Sequence, residues 1–104
     1  MYKYAPDAWV IVKVHDTHKV LAGFYGGYVH GDSWRLSSGI TRIEETETHW
    51  LIHNVSGSIY CCHKEQERLT TLTGSILQRI VDAGVGAEKV LFEDIRGMYE
   101  QTNP

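Results

Sequence analysis

The spacing of hydrophobic residues along this chain has two regimes, and the first is an alternation. Across residues 8–15, Ala8, Val10, Val12 and Val14 fall on one side and Trp9, Ile11, Lys13 and His15 on the other. A period of two in a stretch rich in β-branched residues predicts a strand. The polar run Asp16-Thr17-His18-Lys19 leads into a second apolar run over 20–25, which together predict an antiparallel hairpin closed by a four-residue loop. Gly23, Gly26, Gly27 and Gly31 follow closely and predict a bulge or a wide turn. Three more short strands are expected, around 40–43 before the acidic run Glu44-Glu45-Thr46-Glu47, over 49–53, and over 58–63 after a turn at 54–58.

Past residue 68 the spacing widens. Leu69, Leu72, Thr73, Ile76, Leu77, Ile80 and Val81 recur at i, i+3, i+4 and i+7, with Gln78, Arg79 and Asp82 facing away. That pattern predicts an amphipathic helix over 72–81, centred on Leu77 and stopped by Gly84. Gly74 costs about 1 kcal/mol relative to Ala in a helix, which moves the expected start toward Thr73. After Gly86 two readings compete: a helical stripe of Val90, Leu91, Ile95 and Met98, or a short last strand over 89–92. The strand is preferred, because Gly84-Val85-Gly86 turns the chain back; residues 101–104 are expected to fray. These elements make an α+β fold, a curved antiparallel sheet or partial barrel of about five short strands with one C-terminal amphipathic helix.

Composition narrows the class. A length of 104 residues fits a single domain, 1–104. Thirteen acidic against ten basic residues, a net charge of −3, argue against direct nucleic-acid binding, which needs a basic face. No apolar run approaches the ~18–20 residues of a membrane span, and the N-terminus does not read as a signal peptide, so no membrane association is expected. Cys61 and Cys62 are adjacent, and neighbours on a strand point to opposite faces. Two reduced thiols are therefore expected, one buried and one partly exposed, in a reducing cytoplasm.

The chemistry-bearing residues form no familiar catalytic pattern. His49 and His53 would share a strand face about 13 Å apart, at ~3.3 Å rise per residue. Zinc needs three or four ligands converging at about 2.0–2.3 Å, and neither Cys-x-x-Cys nor His-Glu-x-x-His is present. Gly-x-Ser-x-Gly is absent, and His15-Asp16-Thr17 reads as a turn rather than half of a two-histidine phosphoesterase site. No catalytic residue, metal or cofactor is expected. The segment from Gly23 to Arg35 is more informative. It sets Tyr25, Tyr28, Trp34 and Arg35 around glycine-rich backbone, and aromatic and Arg side chains are the commonest binding anchors. These four are the candidate binding residues; the competing expectation is that the aromatics fill the core. Alternation sends Trp34 and Arg35 to opposite faces, so at least one should reach solvent. Glu44, Glu45, Glu47, Asp82, Glu88, Glu93 and Asp94 offer a negative face that would suit a basic partner.

Asp32-Ser33-Trp34-Arg35-Leu36-Ser37-Ser38-Gly39-Ile40-Thr41, with Ser56-Gly57-Ser58-Ile59-Tyr60 and Cys62-His63, resembles small bacteriophage-encoded accessory proteins. The resemblance spans the first two thirds of the chain and includes no catalytic motif. It implies a short protein in the cytoplasm of a bacterial host that binds and inhibits or modulates a host protein, antiviral defence such as the CRISPR machinery included. The alternative is a small-ligand module that binds or hydrolyses a nucleotide signal, with aromatics stacking on a base while Arg35 and loop amides meet phosphate. Open strand edges also leave room for a homodimer.

Overall fold

In the computed structural model, which describes residues 3–100, the chain opens with a two-residue strand, β1 (Lys3–Tyr4). The alternating run then forms β2 (Ala8–Val14), and every residue from Ala8 to Val12 is buried. β2 is apolar on both sides because both sides are covered. It pairs antiparallel with β3 (Thr17–Phe24), from Ala8 opposite Gly23 to Val14 opposite Thr17. The turn between them has two residues, not the expected four. His15 and Asp16 take φ of 50° and 65°, the double left-handed turn whose twist matches that of a hairpin. Thr17, His18 and Lys19 belong to the solvent-facing end of β3, and their polarity gave them the appearance of a loop.

A one-turn helix, α1 (Gly27–His30), replaces the expected bulge and leads to β4 (Ser33–Leu36), which adds to β3. β5 (Ile40–Glu45), β6 (His49–Asn54) and β7 (Ile59–His63) form an antiparallel meander, and β1 joins its edge parallel to β7. Farther on, β8 (Glu88–Val90) pairs with β2. The result is two four-stranded sheets, a hairpin sheet ordered β4–β3–β2–β8 and a meander sheet ordered β1–β7–β6–β5. The α+β class holds. The strand count rises from five to eight because β1, β4 and β8 are too short to show a period.

The main core lies between the sheets. Trp9, Ile11, Val20 and Ala22 of the hairpin sheet face Ile43, Trp50, Ile52, Tyr60 and Cys62 of the meander sheet. The opposite face of the hairpin sheet presents Val10, Val12 and Leu21 to α2 (Thr71–Asp82). The start of α2 is set by Thr70, whose hydroxyl accepts from the Thr73 N–H at 3.0 Å while the Thr73 hydroxyl accepts from the Thr70 N–H at 2.8 Å. This reciprocal cap offsets the cost of Gly74 and starts the helix two residues before Thr73. The stripe is centred on Ile76, not Leu77. Ile76 is buried, whereas Leu72, Leu77 and Ile80 flank it half-buried, because the face is set by the 73–76–80 ridge.

The tail uses both of its readings. The strand ends at Val90, and a second helix, α3 (Phe92–Tyr99), follows at once. Phe92 is the reason. Its ring enters the main core, edge-on to Trp9 at 5.4 Å and tilted against Trp50 at 4.7 Å, and Ile95 is buried one turn on. Glu67 accepts from the Phe92 N–H at 2.9 Å and so serves the new helix as a remote cap. Met98, on the other side, remains exposed. The fraying expected of residues 101–104 lies outside the described residues. Among the described residues no helix is long and apolar enough to cross a membrane.

Candidate functional site

The glycine-rich segment folds into a projecting knob. None of the residues of α1 is buried; Tyr28 is fully exposed and Val29 is 84% exposed. The knob is a closed turn of chain. A Cβ on Gly26 would lie 1.7 Å from the Gly31 carbonyl oxygen, so only glycine permits the two ends to meet. Gly31, at φ 65°, ends the turn in the left-handed region and its N–H donates to the Gly27 carbonyl. At the base, Asp7 accepts from the Tyr25 N–H at 2.8 Å, and the Tyr25 hydroxyl accepts from Arg68 at 2.8 Å. Tyr25 is thereby pinned with half of its surface in solvent.

β4 separates the other two candidates. Trp34, 41% exposed, borders a shallow trough with Ile76, Arg79, Ile80 and Ala83 of the α2 side. Arg35 points to the opposite face, its guanidinium 4.4 Å from the centre of the Tyr4 ring. Both side chains reach solvent. Tyr25, Tyr28 and Trp34 belong to the knob and the flank beside it, whereas Arg35 belongs to a second surface.

That second surface is a groove of 790 Å³ at the open end of the two sheets. Tyr4 and Tyr60 form its meander-sheet wall, Lys19 and Arg35 its hairpin-sheet wall, and Ser38 and Ser56 lie where two turns meet. Sequence reasoning singled out only Arg35 here. Ser38 and Ser56 lie within the segments 32–41 and 56–60, and neither was marked as a site residue. Those segments converge on this groove. Tyr4 and Lys19 gave no signal, since a two-residue strand and a strand-end lysine have no pattern of their own.

The remaining polar residues mostly satisfy one another. Glu44 pairs with Arg42, Glu45 with Lys64 at 2.5 Å, and Glu93 with Arg96 at 2.7 Å. Three of the seven acids expected to form a negative face are thus neutralised by cations beside them. Lys64 and Arg96 also sit over the Trp50 ring, at 4.7 and 4.5 Å. His49 and His63 meet across β6 and β7 with ring centres 4.9 Å apart, a pairing set by strand register rather than by spacing in sequence. Among the described residues no three His, Cys, Asp or Glu side chains gather in a way that would hold a metal ion. Cys62 is buried and Cys61 partly exposed, each a free thiol. No protein-family model, curated protein or solved structure matches the chain.

Proposed function

We propose that this is a non-enzymatic binding protein of the phage accessory type, which docks on a protein of a bacterial host cytoplasm and inhibits or modulates it. Antiviral defence components such as the CRISPR machinery are the target class that the resemblance implies. One observation carries the reading: Tyr28 and Val29 stand in water on a turn whose glycines serve only to build that projection. Exposed there, they contribute nothing to the core. In a partner's pocket each large apolar side chain would bring about 1.5–3 kcal/mol, and Tyr and Trp lead the residue types found at interface hot spots. Trp34 and Tyr25 extend the apolar surface on either side of the knob.

The test is retention of a host protein from bacterial lysate on the tagged chain, identified by mass spectrometry, beside the double variant Tyr28→Ser/Val29→Ser. The native chain is expected to retain a partner that the variant loses, with an unchanged melting temperature. No retained protein, or equal retention by both, overturns the reading. A homodimer across the free edge of β4 is a separate part of the proposal. Light scattering at micromolar concentration is expected to give a dimer mass, and a monomer mass removes that part alone.

A further inference from the structure

We infer that the groove between the sheets is a binding site for a phosphate-bearing small molecule, distinct from the knob. The chain carries a net charge of −3, yet the groove lining contains Lys19 and Arg35 and no carboxylate. Lys19 and Arg35 have no carboxylate within 4.0 Å among the described residues, a state they share with Lys3, Arg68, Arg79 and Lys89; what sets them apart is that both line one groove. Arg35 is instead steadied by the face of Tyr4, and Tyr4 packs on Tyr60 with ring centres 5.0 Å apart. Stacking on Tyr4 orients the guanidinium, the Tyr60 hydroxyl lies within its reach, and the fork of five N–H donors leaves others for an oxyanion.

The hydroxyls are arranged in the same sense. Ser37 accepts from the Val20 N–H at 2.9 Å, and Ser38 accepts from the Ser56 N–H at 3.0 Å. Each oxygen is held by a backbone donor, while its own O–H has no acceptor among the described residues. Ser56 and Ser58 lie 3.1 Å apart; one donates to the other, and the second proton is spare. Burial lifts the Tyr60 phenol above its ordinary range against the pull of Arg35, so that wall stays a hydroxyl and adds no negative charge. Two cations and a set of spare hydroxyl protons call for a ligand group that only accepts, and phosphate oxygens do so. The groove has room for more than a phosphate group, and an organic body attached to that phosphate would lie along Tyr4 and Leu36.

Thermal shift and titration calorimetry with inorganic phosphate, ribose 5-phosphate, AMP and adenosine test the assignment. The three phosphate compounds are expected to raise the melting temperature and adenosine to leave it unchanged. A larger shift with AMP than with ribose 5-phosphate marks a nucleotide ligand; the reverse order marks a sugar phosphate. Arg35→Gln and Lys19→Gln should each fold normally and weaken phosphate-compound binding about tenfold or more, the scale of a lost charge-assisted hydrogen bond. Tyr28→Ser/Val29→Ser should bind them as the native chain does, which separates this site from the knob. No shift with any phosphate compound, or equal shifts in the native chain and both groove variants, overturns the inference.

Discussion

The Nδ1 atom of His18 lies 2.7 Å from the hydroxyl of Tyr99, joining β3 to the last turn of α3. Burial raises the Tyr99 phenol above its ordinary range, so it keeps its proton. Burial, with Lys13 adding repulsion, holds His18 below the imidazole value of 6.5. With the ring neutral, Nδ1 and the Tyr99 hydroxyl share one hydrogen bond, whose direction is set by the ring tautomer.

This contact makes stability depend on pH in a stated direction. The unfolded chain takes up a proton on His18 near pH 6.5, and the folded chain takes it up only at lower pH. The contribution is complete above that value and is lost as pH falls through the depressed native one. Melting curves of the native chain and His18→Gln should therefore converge as pH falls below about 6.5. A difference that grows on acidification would contradict the assignment. Tyr99→Phe should cost about 1 kcal/mol in urea unfolding near neutral pH.

Ile76, rather than Leu77, anchors α2. Ile76→Asp places a charge against Val10, Val12 and Leu21 and should leave no cooperative unfolding transition by circular dichroism. Leu77→Asp can turn its carboxylate to water from a half-buried position, so it should fold with a lowered melting temperature. Ile76→Ala should cost about 2–5 kcal/mol.

The two thiols should react at separate rates. Burial holds the Cys62 thiol well above its ordinary pKa, with Cys61 adding to the shift, and no thiolate is presented to solvent there. An aromatic disulfide reagent should modify one cysteine per folded chain, mapped to Cys61 by mass spectrometry, and two after denaturation. Modification of Cys62 in the folded chain would show that the sheet opens.

Phe92 is the residue through which the tail enters the core. Phe92→Ala should cost about 3–5 kcal/mol and lower the midpoint of guanidinium unfolding accordingly. Glu67→Gln keeps an acceptor for the Phe92 N–H but removes its charge, and should cost only about 0.3–1 kcal/mol.

Much of this architecture was legible, and the residues show why some was not. β2 and α2 are long enough for a period to repeat and so were found, although the α2 stripe turns out centred on Ile76, with Leu77 half-buried and Val81 exposed. β1, β4 and β8 have two to four residues, so no alternation completes, and only partners far away in the chain define them. The hairpin turn was misplaced because positive φ at His15 and Asp16 leaves no mark in composition. At the sites, the exposure of Tyr28 and Trp34 answers only the competing expectation that these aromatics fill the core. The groove was legible only at Arg35, because register and a parallel strand bring Tyr4, Lys19 and Tyr60 beside it.

The placement of β8 and Phe92 sets a schedule for the chain as it is made. β2 emerges from the ribosome early, but one of its two neighbours is β8, and Trp9 is covered by a ring from α3. Until those late residues emerge, the hairpin can pack on the meander sheet, but the side of Trp9 that Phe92 covers and the β2 edge that β8 pairs stay open. Nascent chains halted before Phe92 would carry that surface as a chaperone-binding or aggregation-prone stretch. The cover of β2 is thus finished by residues made far later than β2 itself.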